Sequence, residues 1–425
     1  MPALRQCATD VLVLRGSPAL GDAVNLASWL EGLTKQYGVL LIIGEDARRA
    51  VPEMICREFD RVLVKGKTNI AMTAPTRRAR SSRRKKLISL ALQGGGSHGA
   101  FTWGVLEALL EDGRFEFAGL SGTSAGGMNA AAMVQGLIQG GEKGAIQSLE
   151  DFWRRTHDLA RRTAPMFADP SGKSRGDHNL TTAPGMILRA FFEQMVGSVS
   201  PYAANPLNYN PFRSLVEDFF DFDAIRKSDA CKLFLAATHV QTGKIRIFHN
   251  REISADSLMA TSCVPTMFQA VEVDGEYYWD GGYVANPAIF PLIDECDAGD
   301  IVLVQLTSSR VPRLPRHAAE IKERFREITL NACLVREIRA IHLITRLIDE
   351  GKIDNPSMHR INLHVIKDPA AFSGMYAGSA LNTDWDFLNA LRRAGALAAK
   401  RWIRAAYRKL GTKIPFDQTI LDDYL

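Results

Sequence analysis

Gly122-Thr123-Ser124-Ala125-Gly126 follows the apolar run Phe117-Ala118-Gly119-Leu120 and precedes a helix-like run that begins at Gly127. Strand, tight turn and helix in that order place a serine at the apex of a sharp bend. Glycines on either side leave no side chain in the path of an approaching acyl group. Taken alone, the G-x-S-x-G match fits an ordinary glycine turn as well as a nucleophile. Upstream, Leu87-Ile88-Ser89-Leu90-Ala91-Leu92 reads as a buried strand that runs into Gln93-Gly94-Gly95-Gly96-Ser97-His98-Gly99, and a second helix opens at Ala100. Consecutive glycines at a helix start expose backbone N–H groups. Such groups stabilise negative charge, either a phosphate or the oxyanion formed when a serine attacks a carbonyl. Downstream, Trp279-Asp280-Gly281-Gly282 supplies a carboxylate in a glycine turn, delivered by a hairpin around Asp274-Gly275.

Glycine loop, G-x-S-x-G and D-G-G, in this order, resemble the patatin-like phospholipase family, over approximately Leu87 to Asp300. The resemblance implies a three-layer α/β/α hydrolase fold and a Ser-Asp dyad of Ser124 and Asp280. It further implies an oxyanion hole drawn from the amides of Gly94, Gly95, Gly96 and Ala125, with Gly122, Gly126, Gly281 and Gly282 shaping the turns. The substrates it implies are carboxylic esters of lipids, of phospholipase A or lysophospholipase type, hydrolysed without metal or organic cofactor. Thr238 to Gly243 and Val264 to Phe268 look like segments that the family also carries, and Leu381 to Leu388 looks like the C-terminal extension of a bacterial subgroup. One position departs from the pattern: where the family often has Lys or Arg, this chain has His98, whose mostly neutral imidazole brings less charge to the anion hole.

Two rival readings stand beside this one. In the first, a histidine after Asp280 (His317, His342, His359 or His364) completes a Ser-His-Asp triad acting on a non-phospholipid or polymeric ester. In the second, the pocket binds lipid or a partner without turnover.

Composition narrows the class. Hydrophobic residues make up 46% of the 425 and charged residues 23%, as in a globular protein, and no run approaches the roughly twenty apolar residues that a membrane-spanning helix needs. The first residues lack a charged-then-apolar leader pattern, so a cytoplasmic protein is expected, with any membrane contact peripheral and at the inner face. Six scattered cysteines, none in a C-x-x-C pair, argue against a metal site and a disulfide framework. The formal charge of +5 is too mild to imply nucleic acid, and oligomeric state is not legible.

Four segments are expected. Residues 1–74 read as a small α/β module of no assigned role, with strands near 11–14, 39–43 and 61–64 and a helix over 22–36. Residues 75–86 form a basic linker, either a solvated hinge or an electrostatic contact with anionic membrane. The catalytic domain covers 87–306, and within it the Pro-, Gly- and Asn-rich insertion 158–211 carries an amphipathic island at Leu188, Phe191, Phe192, Met195 and Val196. That island suits either a cover over an acyl cleft or plain core packing. Residues 307–425 read as a helical extension with one further strand and a last helix, 384–410, basic on one face and Ala-rich on the other.

Overall fold

A computed structural model describes residues 85–424 except 164–198, 308, 312, 356–357, 374 and 376–377, together with the backbone of five strands nearer the N-terminus. The chain divides into two compact units, Met1–Arg84 and Lys85–Leu425. In the first, strands β1 (Arg5–Gln6) and β2 (Leu12–Val13) pair antiparallel, and β3 (Ile43–Gly44), β4 (Cys56–Val64) and β5 (Lys67–Pro75) form an antiparallel sheet with β5 central. Strand β5 was not expected: Lys67-Thr68-Asn69-Ile70-Ala71-Met72-Thr73-Ala74-Pro75 carries no clean apolar alternation. The helix expected over 22–36, most of the basic linker and the amphipathic island at Leu188 to Val196 lie outside the described residues.

The second unit is built on an eight-stranded mixed sheet. Its order is β10-β11-β8-β7-β6-β12-β13, with β9 also on β8. Strand β6 (Lys86–Leu92) leads through the glycine loop into α1 (Gly99–Asp112); β7 (Phe115–Gly122) leads through the serine turn into α2 (Ala125–Thr163). Two separate helices are expected from the sequence in this last stretch. The structure agrees: two helical stretches meet at Gly140 and Gly141, whose backbone angles lie outside the helical region, and α2 is used here for the pair. Short helices α3 (Pro201–Ala204), α4 (Pro211–Phe219) and α5 (Phe222–Lys227) precede β8 (Lys232–His239) and β9 (Ile245–His249). Helix α6 (Ala255–Thr261), the hairpin β10 (Val271–Val273) and β11 (Glu276–Asp280), α7 (Phe290–Glu295) and β12 (Asp300–Val304) follow. The C-terminal part adds α8 (Ala318–Asp349), β13 (Asn362–Ile366), α9 (Pro369–Phe372), α10 (Trp385–Ala406) and α11 (Gln418–Tyr424).

Strands β6, β7, β8, β12 and β13 run parallel, and the first four are close to continuously apolar because helices cover both faces. Successive side chains sort onto opposite faces. Leu90, Leu92, Val302 and Val304 join one core with α1, α2 and α10, while Ala91, Ile301 and Leu303 join another with α7, α8 and α11. Three layers result. The C-terminal stretch is therefore part of the sheet and its cover: β13 pairs β12 from Asn362 to Ile366, and α10 lies on α1. The two helices cross at glycines, since a Cβ on Gly104 would sit 1.8 Å from the Arg392 carbonyl oxygen and one on Gly395 2.0 Å from that of Phe101. Phe387, Leu388, Leu391, Ala398 and Ile403 of α10 are buried, with Arg393, Lys400 and Arg404 exposed on the other side. A core-packed helix with a solvated basic face describes it.

Candidate active site

Strand β8 brings the two halves of the site together. Its Phe234–Thr238 stretch pairs β9, so β9 occupies one edge. On the other edge β7 pairs Lys232–Leu235, and where β7 leaves the sheet β11 takes over, pairing Ala237–His239. Gly122 thus lies opposite Leu235 and Asp280 opposite Ala237. Two residues along a strand span roughly 7 Å, so the end of β11 sits beside the turn that carries Ser124.

Ser124 has a backbone φ of 54°, in the left-handed region that a side chain normally avoids. Such strain costs about 1–3 kcal/mol and persists only where neighbours impose it. Here the Ser124 amide donates to both the carbonyl oxygen and the Oγ1 of Thr261, each at 3.1 Å. Thr261 Oγ1 is in turn anchored on the Ala236 carbonyl of β8 at 2.5 Å. Thr123 N–H donates to the Leu92 carbonyl at 3.3 Å, and Thr123 Oγ1 to that of Ala285 at 2.8 Å. Gly126 allows the close approach of strand and helix, because a Cβ there would lie 2.2 Å from the Leu92 carbonyl oxygen.

Asp280 is buried, at 7% exposure. Its amide donates to the Cys263 carbonyl at 2.8 Å, and its own carbonyl accepts from Thr238 Oγ1 at 2.7 Å. The carboxylate accepts from the Gly282 amide at 2.7 Å, and the Ser124 hydroxyl is near enough to favour its ionised form. Burial pushes its pKa up to about 6, against the downward pull of the Gly282 amide and the Ser124 hydroxyl. A buried carboxylate near a serine hydroxyl, with its pKa raised toward neutrality, is equipped to accept that proton.

The glycine loop lies against the serine: a Cβ on Gly94 would sit 2.8 Å from Ser124 Cβ. The amide of Gly94 differs from expectation. It donates to Asn286 Oδ1 at 2.7 Å, so it holds the loop and is not available to an oxyanion. Gly95, Gly96 and Ala125 stand at the starts of a short 3-10 turn and of α2, where amides have no intrahelical partner, and none of the three donates to a described residue. Gly96 has φ 59° and passes under the C-terminal segment, where a Cβ would lie 2.2 Å from the Ala380 carbonyl oxygen.

Several residues that position this site carried no sequence signal. Gln93, fully buried, donates to the Asn286 carbonyl at 3.0 Å and Asn331 Oδ1 at 3.1 Å while accepting from the amides of Leu306 and Thr307 at 2.8 and 2.9 Å. His98 is buried beneath Phe372 and Phe387, with Nε2 2.8 Å from Ser379 Oγ. Burial first, and the charge of Arg326 second, lower its pKa to about 4, so the imidazole is neutral. Arg326, on α8, is the cation whose field reaches both His98 and Tyr283. A turn further along, Leu330 comes within 2.9 Å of where a Gly282 Cβ would be.

Other histidines are occupied elsewhere. His364 Nε2 is 2.8 Å from Asp300 Oδ1, at the strand ends opposite the serine turn; His342 packs on Phe416; His317 caps α8; His239 pairs with Glu276 at 2.7 Å. Among the described residues no cluster of His, Cys, Asp and Glu is placed to hold a metal, and no helix is long and apolar enough to cross a membrane. A cavity of about 690 Å³ opens beside Arg155, Arg162, Leu215 and Asp218; neither the glycine loop, Ser124 nor Asp280 lines it.

Comparison with known proteins agrees with this architecture. Residues 90–293 match the family described as patatin-like phospholipase. Among solved structures the chain is similar to VipD from Legionella pneumophila, with 13% identity over 80% of this chain and 71% of that one at a TM-score of 0.31. It is similar to human GIVD cytosolic phospholipase A2 in complex with methyl gamma-linolenyl fluorophosphonate, with 12% identity over 87% and 70% at 0.39. It is also similar to ExoU of the Pseudomonas aeruginosa type III secretion system, crystallised with SpcU, with 14% identity over 80% and 58% at 0.27. No curated protein matches the chain in sequence. Over residues 90–293, therefore, the chain carries a domain of the patatin-like phospholipase family.

Proposed function

We propose that this protein is a serine lipid acyl hydrolase, a carboxylic ester hydrolase of phospholipase A or lysophospholipase type working through a Ser124–Asp280 dyad. The observation that carries the reading is a buried Asp280, its pKa raised to about 6, set two residues along β8 from the strained turn of Ser124. Asp280 takes the Ser124 proton as Oγ attacks the ester carbonyl carbon, and the carbonyl oxygen becomes an oxyanion facing the amides of Gly95, Gly96 and Ala125. Collapse breaks the ester C–O bond, and Asp280 returns the proton to the departing alcohol. A water then attacks the acyl-serine, with Asp280 accepting and relaying its proton, and the fatty acid leaves. Nucleophile, base and anion donors all come from the chain. The histidine placements described above favour the dyad over a triad, since His317, His342 and His364 are each held by groups remote from Ser124.

A fluorophosphonate probe tests the reading directly. Wild-type protein should label on Ser124 and hydrolyse p-nitrophenyl acyl esters, and Ser124→Ala should do neither while melting at nearly the same temperature. Labelling elsewhere, or turnover by the variant, would sink it.

A further inference from the structure

Helix α8 has two contrasting faces. Leu330, Leu334, Ile338, Ile341 and Thr345 point to the sheet. On the opposite side Ile321, Phe325 and Ile328, spaced four and three residues apart, project into solvent at 52%, 73% and 53% exposure. Residues three and four apart share one helix face, so these three form a continuous apolar stripe.

The charges around the stripe are asymmetric. Each acid on this part of α8 is committed: Glu320 caps its own helix start, Glu323 pairs with Arg326, Glu327 pairs with Arg324, and Glu337 turns inward to accept the Ile289 and Phe290 amides. Arg316, Lys322, Arg336 and Arg339 are exposed and make no ion pair with a described residue. Arg336 and Arg339 continue the same face toward the C-terminus.

We infer that the outward face of α8 docks this protein on an anionic lipid surface, Phe325 and its neighbours entering the acyl boundary and the four cations meeting headgroup phosphates. An apolar stripe flanked by uncompensated Arg and Lys matches that surface in polarity and in sign. Three apolar side chains are small beside the ~800 Å² that each partner contributes to a stable protein interface. The inner side of the same helix touches Gly282, next to Asp280, so docking sets the catalytic turn close to the surface. The choice of lipid as the occupant rests on the acyl-hydrolase reading.

The test is co-sedimentation of the full chain with vesicles of phosphatidylcholine alone or mixed with phosphatidylglycerol. Wild type and Ser124→Ala should both bind the mixed vesicles. Ile321→Ser/Phe325→Ser/Ile328→Ser should lose about ten-fold in binding while still hydrolysing a soluble p-nitrophenyl ester, and Arg336→Ala/Arg339→Ala should weaken binding mainly at low salt. Vesicles should also shift the fluorescence of Phe325→Trp to the blue, relative to the same vesicles added to wild type. Undiminished binding by the triple serine variant, loss confined to neutralising Arg77 to Lys86, no blue shift from Phe325→Trp, or a change in oligomeric state in place of vesicle binding would each overturn the inference. Failure to dock with soluble-ester turnover intact leaves the hydrolase standing; docking without any turnover strikes the hydrolase reading alone.

Discussion

Asn286 holds Gly94: its side-chain oxygen accepts the Gly94 amide at 2.7 Å, tying the segment after the Asp280 turn to the loop before α1. Asn286 touches no reacting atom, so it positions. Its replacement by alanine orphans a buried amide and frees the loop whose next two residues offer N–H groups to the oxyanion. Asn286→Ala should lower kcat on a p-nitrophenyl ester by about 10–100-fold with little change in KM, since misplacing oxyanion donors costs the transition state and not the ground state. Steady-state kinetics at fixed pH decide it.

With Asp280 as the proposed base, its carboxylate is the active form; burial raises its pKa to about 6, so kcat/KM should climb with pH and reach half its plateau at about pH 6. Stability runs the other way. Because the folded-state value lies above the ordinary 3.8, the folded protein binds the extra proton, and stability from this group falls as pH rises from about 4 through about 6. Asp280→Asn carries no charge to bury. It should abolish turnover, yet melt no lower than wild type at pH 7, with up to about 2–3 kcal/mol regained. A flat pH profile, or a destabilised asparagine variant, would speak against the buried ionised base.

His364 separates fold from chemistry. Burial alone would raise the Asp300 pKa, but hydrogen bonds from His364, Gly411 and Asn362 outweigh it and hold the carboxyl below the usual range. His364→Ala strands that carboxylate and should cost about 3 kcal/mol of stability. Activity of the folded variant should match wild type, as should that of His317→Ala and His342→Ala; thermal melts paired with kinetics distinguish the two effects.

Arg326, paired with Glu323, is the cation whose charge reaches His98. Arg326→Gln should raise KM for an anionic phospholipid about ten-fold while leaving a neutral p-nitrophenyl ester nearly untouched, because only the former has a phosphate to attract. Equal losses on both substrates would mean that the residue merely props up α8.

The chemistry-bearing turns were legible because each is local. A strand ending in glycines and a serine before a helix states its own geometry, and so does a hairpin ending in D-G-G. The supports were not legible because they are long-range. Thr261, Asn286 and Gln93 are unremarkable polar residues in sequence, and only the sheet order brings them to the loops they tie. His98 stood out in the sequence, but the rings of Phe372 and Phe387 that pack against it lie far downstream. Gly94 was misassigned for the same reason: a glycine advertises a free amide, and nothing nearby announces Asn286 as its acceptor.

Strand β8 acts as a ruler for the reaction. The serine turn and the Asp280 turn both take their positions from neighbouring residues on one of its edges, Leu235 and Ala237. Their separation is therefore fixed by one backbone's pitch and owes nothing to the length of chain between them. Chain between the end of α2 and the start of β8 can be lengthened or trimmed without changing which β8 residues the two turns lie against. In the proposed hydrolase, the spacing of nucleophile and base would then be set by the pitch of β8 and not by the length of the chain that precedes it.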